Sequence, residues 1–143
     1  MKNNADPMRD AIGSGKTTNP IEWNSIIDDM EAQGVEINYR ENTMAYAPGM
    51  SDGDPGQVTI DPEASLSALK HEYQHFLDAK KEGFPSFGKQ LFEDPSSRVI
   101  KELRAYLVEI KEADELGFKN VADQLFQNYL KEKEWIVGQY IKK

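Results

Sequence analysis

Leu69-Lys70-His71-Glu72-Tyr73-Gln74-His75-Phe76-Leu77-Asp78 is the stretch on which the reading of this chain turns. Each residue of an α-helix advances the chain by 100°, so His71 and His75 stand one turn apart on one face. Their ring nitrogens can therefore meet at a single ion, and neutral imidazoles at this spacing suit two corners of a tetrahedral zinc site. Glu72 follows the first histidine and points beside the ion rather than at it, which is the place for a general base. With Leu66 as origin, Leu69, Tyr73, Phe76 and Leu77 fall within roughly 100° of one another. The histidines fall opposite, with Ala64, Ala68 and Asp78. The pattern predicts a helix held between two layers, one face on an apolar core and the other open enough for something to approach.

Upstream, Asp61-Pro62-Glu63 reads as N-cap, first turn and dipole-matched acid of that helix. Its far end lies near Glu82, before Gly83 and Pro85. Gln57 to Ile60, Thr43 to Ala47 and Val35 to Arg40 read as three short strands, the last by its alternation of apolar and polar residues. Asn19-Pro20 opens a helix with the apolar stripe Trp23, Ile26, Ile27 and Met30, and Gly34 ends it. Residues 1–18 show no periodicity and are expected to be a flexible lead-in to a domain spanning 19–143. Gly13-Ser14-Gly15-Lys16-Thr17 superficially resembles a phosphate-binding loop. The pattern needs glycine five residues before Gly15, where Asp10 stands, and no strand precedes it, so it reads as a plain loop.

Downstream, Phe84 to Phe92 is expected to be a loop unusually rich in aromatics. Asp94-Pro95 opens a helix with Val99, Ile100, Leu103, Leu107 and Ile110 on one face and Gly117 beyond its end. The last helix runs from about Lys119, with Val121, Leu125, Tyr129, Ile136 and Tyr140 apolar. A small sheet first and helices after predicts an α+β fold.

The chain has 143 residues, a net charge of −8, no cysteine and only two histidines. Disulfides, thiolate catalysis and cysteine-based zinc sites are thereby excluded. The negative charge argues against nucleic acid as a partner. No run of residues is apolar enough to cross a membrane or to serve as a signal peptide, so a soluble protein is expected, cytoplasmic or delivered as part of a larger one.

Two histidines leave a zinc ion short of a ligand, and with no third histidine the remainder must come from a carboxylate. Glu102 is the first candidate, on the margin of the next helix's apolar face beside Tyr106 and Ala113, where an unpaired carboxylate is costly. Glu109 shares that side two turns on and is the main rival. Asp78 lies on the histidine face and suits a supporting role, accepting the second N–H of a histidine ligand. Tyr106 is a candidate for stabilising an oxyanion and is equally readable as a core aromatic.

His71 to His75, followed by Glu102-Leu103-Arg104-Ala105-Tyr106 on the next helix, resembles the gluzincins, zinc peptidases with two histidine ligands and one glutamate. Gly49 to Gly56 and Ile60-Asp61-Pro62 look like the short zincin-like metallopeptidase domains of bacterial polymorphic toxins and phage-associated proteins. The resemblance covers roughly residues 20–130. It implies a minimal zincin-like fold: a small sheet on the HExxH helix, followed by two C-terminal helices. It also implies zinc held by His71, His75 and Glu102, with Glu72 as the base. Larger gluzincins bring a further His or Tyr to the transition state, and this chain has no third histidine for that role. The expected activity is hydrolysis of a protein or peptide, as a toxin-type effector with an immunity partner. The alternatives are a mobile-element protease that cleaves a repressor, and a zinc-binding module without catalysis. Gln57 to Ile60 is expected to be an edge strand that could hold an extended substrate.

Overall fold

The computed structural model describes residues 5–91 and 93–141; the first four residues of the expected lead-in, and Phe92, lie outside them. The remainder of that lead-in is not a loose tail. It carries two short helices, α1 (Pro7–Ile12) and α2 (Gly15–Thr18). Asp6 caps α1 by accepting from the Arg9 backbone, and its two carboxylate oxygens also accept from the Ser65 backbone and hydroxyl, at 2.8 and 2.6 Å. Met8 is fully buried. Gly15 sits so tightly against Trp23 and Leu66 that a Cβ there would come within 2.6 Å of the indole, so its glycine serves packing rather than a phosphate. Helices this short show no periodicity, and their anchors are Met8, Ile12 at its margin and a few polar caps, so sequence pattern alone does not reveal them.

Pro20 opens α3 (Pro20–Ala32), which buries Trp23, Ile26, Ile27 and Met30 as expected. The strands are β1 (Glu36–Tyr39), β2 (Met44–Ala47) and β3 (Gln57–Ile60), in the order β1-β3-β2. β1 runs parallel to β3 and β2 antiparallel to it. Gln57 to Ile60 is therefore the central strand, not an edge, with Val58 and Ile60 fully buried. The reason lies in residues 48–56, which are long enough to carry the chain round so that β3 enters between the two earlier strands. Gly53 of that loop donates its backbone N–H to Phe84. Gly56 closes it at φ +86°, where a Cβ would collide with the Ala47 carbonyl.

The histidine helix is α4 (Leu66–Lys81), and it starts later than the Asp-Pro-Glu signature suggests. Ser65 is its N-cap, accepting from the Ala68 backbone. Asp61 instead holds the turn before the helix: one oxygen accepts from Glu63 N, the other from Asn42 N and Arg9. Burial raises the Asp61 carboxyl, and these hydrogen bonds outweigh it to leave a net lowering. Leu66, Leu69 and Phe76 are buried in a core shared with α3 and the sheet. Tyr73 lies at its margin and donates its hydroxyl to Asp29. Leu77, expected on that face, sits at its edge and is 36% exposed.

After α5 (Phe87–Leu91), within the expected aromatic loop, come α6 (Pro95–Glu115) and α7 (Lys119–Ile141). α6 packs against both α4 and α7. Its buried residues are Ala105, Tyr106, Glu109 and Ala113, while Ile100 and Leu107 of the expected apolar face are about half exposed. Lys70–Glu112, His71–Glu109 and Asp78–Arg104 pair across the seam between α4 and α6, so the arc that α6 turns inward is polar as well as apolar and departs from the purely apolar stripe. Val99, Leu103 and Ile110 line the flank toward α7, where Leu125 and Tyr129 complete a second core around Met8. The result is α+β: a mixed three-stranded sheet, the histidine helix, and two long helices after it. No helix among the described residues is long and apolar enough to cross a membrane.

Candidate metal centre

The facing surfaces of α4 and α6 bring His71, His75 and Glu102 together, with one ligand atom from each lying within 4.8 Å of the others. His75 Nε2 is 3.2 Å from one Glu102 oxygen, and His71 Nε2 is 3.7 Å from the other. Donor atoms held at about 2.0–2.1 Å around one zinc stand roughly 3.4 Å apart, so the observed spacing suits a shared ion. The chemistry of the set points the same way. His71 Nδ1 lies 2.8 Å from a buried Glu109 oxygen, to which a neutral ring would donate its N–H. That leaves its Nε2 lone pair facing another carboxylate. Acceptors turned toward one another need a cation between them, whether metal or proton. Glu102, the first candidate for third ligand, thus stands with the two histidines in a group that could hold a metal ion.

The same logic governs the titrations of the metal-free cluster. Burial disfavours a charged His71, but hydrogen bonds to Glu102 and Glu109 overcome it and raise the imidazole well above its usual value. His75 is raised in the same way: burial opposes the charge and Glu102 prevails. Burial alone would raise Glu102, yet the two imidazoles hold its carboxyl down at about 2. Without a metal, protons occupy the place where a metal would sit.

Glu109, the rival ligand, is 2% exposed and meets His71 at Nδ1, on the side of the ring away from Glu102. Complete burial pushes its carboxyl up to about 7, with His71 restraining the rise. A carboxylate on the far nitrogen fixes the ring's tautomer and orientation and strengthens it as a ligand. That is the supporting role expected of Asp78. Asp78 instead accepts from Arg104 at 2.7 Å and from Gln74 at 3.2 Å, tying α4 to α6. One turn decides the exchange: Asp78 lies beyond His75 toward the end of α4, where Arg104 reaches it.

Glu72 is 6% exposed and lines the same cleft as the three convergent residues. Tyr106 does not line it. Its ring packs edge-on to His71, with centroids 4.6 Å apart, and abuts Tyr129 in the second core. Burial, then the carboxylates of Glu132, Glu102, Glu109 and Glu72, push its hydroxyl strongly toward the neutral form.

The cleft has a volume of about 500 Å³. Met44, Ala45 and Tyr46 of the edge strand β2 form part of its wall, and Glu132, Trp135 and Ile136 of α7 another part. Glu132 was not legible as a site residue. It stands 30 positions beyond Glu102 in an ordinary amphipathic helix, and no local motif marks it. Its one sequence signal is its place on the same helical face as Ile136.

Searches against protein-family models, curated proteins and solved structures returned no match.

Proposed function

We propose that this protein is a zinc-dependent peptidase that hydrolyses peptide bonds with Glu72 as general base. One observation carries the reading: His71, His75 and Glu102 converge within a single ion's reach while Glu72 lines the same cleft. Three protein ligands leave a position open, as catalytic zinc sites do and structural ones do not. A bound zinc supplies Lewis acidity toward water and toward a carbonyl oxygen.

The chain's own residues do the rest. Glu72 accepts the proton of the attacking water as its oxygen bonds to the carbonyl carbon, then delivers that proton to the amine nitrogen as the C–N bond breaks. Glu109 holds His71 in the required tautomer through Nδ1, and Tyr106 buttresses the same ring from its edge. That placement lends no support to an oxyanion role for Tyr106. Among the described residues β2 is an edge strand, and it offers backbone groups to an extended peptide lying in the cleft, the part expected of β3. The resemblance to zincin-like domains of polymorphic toxins and phage-associated proteins supports a narrow protein target rather than general digestion. Such a target is an effector's victim guarded by an immunity protein, or a mobile element's own repressor.

The test compares zinc content and proteolysis in the parent and in Glu72→Gln. About one zinc per chain is expected in both, with turnover lowered by about 10²–10⁴-fold in the variant. Undiminished cleavage by Glu72→Gln would remove the general base, and failure of the parent to bind zinc would remove the whole reading.

A further inference from the structure

Glu132, Trp135 and Ile136 stand at i, i+3 and i+4 of α7 and so share one face, the face that lines the cleft. Ile136 is 2% exposed and anchors the wall, while Trp135 is 59% exposed and leaves its indole available. Glu132 is half-buried, and among the described residues it makes no hydrogen bond or ion pair; the imidazoles of His71 and His75 act on its carboxylate only at longer range. The cleft's basic side chains are occupied elsewhere. Lys101 is held by Glu82 and Glu93, and Arg98 donates to Gln139. A carboxylate kept from water without a partner is costly, and one placed beside an open indole matches a cation through both charge and the ring's negative face.

We infer that Glu132 and Trp135 form a cation-recognising subsite of this cleft, which takes an ammonium or guanidinium group of the substrate peptide. The inference rests on the peptidase reading for its ligand class. The cation can come from a lysine or arginine side chain or from a free amino terminus, and the two sources are separable. The subsite gives a role to the one carboxylate of the cleft lining that neither pairs with a neighbour nor, like Glu72, is assigned to the chemistry.

Binding is measured by calorimetry on zinc-loaded Glu72→Gln, which cannot consume its ligand. The probes are a pentapeptide of alanine with a central lysine, blocked at both ends, its norleucine counterpart, and an all-alanine pentapeptide with a free amino terminus. A side-chain cation is expected to tighten binding about tenfold over norleucine. If the terminal amine is the group recognised, the unblocked all-alanine peptide shows the gain instead. In either case Glu132→Gln added to this protein removes the gain, Glu132→Lys reverses it, and Trp135→Leu reduces it several-fold. Circular dichroism confirms that each variant is folded. Equal binding of all three peptides, no measurable binding, or a gain that survives Glu132→Gln overturns the subsite. The protein with Glu72 intact separates this inference from the reading beneath it. A charge-dependent binder left uncut keeps the subsite and leaves the peptidase to its own test, zinc content and proteolysis compared with Glu72→Gln. Cleavage indifferent to charge keeps the peptidase and removes the subsite.

Discussion

Glu109→Gln tests whether the buried carboxylate behind His71 supports the metal ligand or is itself one. The substitution preserves volume, so it opens no cavity; it makes the acceptor of the 2.8 Å contact with Nδ1 neutral and puts an NH2 group where the buried second oxygen of Glu109 has no partner. A hydrogen bond to a charged group contributes about 1.5–3 kcal/mol, and a neutral acceptor roughly half of that. The loss is then about 0.8–1.5 kcal/mol of ligand orientation and basicity, or about four- to twelvefold in zinc affinity. Glu102→Gln removes a ligand outright and should cost roughly 3 kcal/mol or more, a loss above a hundredfold. The assay is competition for zinc against a chromogenic chelator at one fixed pH above the Glu109 value of about 7, so that the parent carboxylate is charged, with circular dichroism to show that both variants fold. The reasoning fails if Glu109→Gln binds zinc within twofold of the parent. It also fails if Glu109→Gln loses more affinity than Glu102→Gln, which would make Glu109 the ligand.

Three further outcomes are expected. Because His71 and His75 are raised in the metal-free cluster, zinc must displace protons to bind. Affinity should therefore climb with pH by roughly tenfold per unit for each proton displaced, and a flat profile between mildly acidic and mildly alkaline solution would contradict this. In the metal-free protein, Glu102 is held at about 2 against 4.5 for a free carboxyl. A depressed acid stabilises the fold above its unfolded value and loses that contribution as pH falls through its folded value. Stability should thus drop by about 3 kcal/mol, counted once for the cluster, between those two pH values, and Glu102→Gln should blunt the drop in denaturant titrations. Met8→Ala should cost about 2–5 kcal/mol by the same method, since Met8 is fully buried against α6 and α7. An unchanged midpoint would mean that the N-terminal helices do not dock.

What the sequence determined by itself is local. The i, i+4 histidine pair with its adjoining glutamate, the proline and glycine boundaries of α3, α6 and α7, and the short strands all follow from spacings within one turn or one strand. Glu102 was also within reach, because a chain with two histidines and no cysteine leaves a carboxylate as the donor, and the next helix offered few. Choosing between Glu102 and Glu109 was not. They lie two turns apart on the same side of α6, and only the docking of α6 on α4 puts the first at Nε2 and the second at Nδ1 of His71. The same holds for the insertion of β3 between β1 and β2, for Asp78 pairing with Arg104, and for the arrival of Glu132 and Trp135 at the cleft. Each depends on where two separately legible elements meet, and meeting is set by the packing of whole surfaces. A helix's own periodicity states which face is apolar. It does not state which neighbour will cover that face, or at what height along the axis.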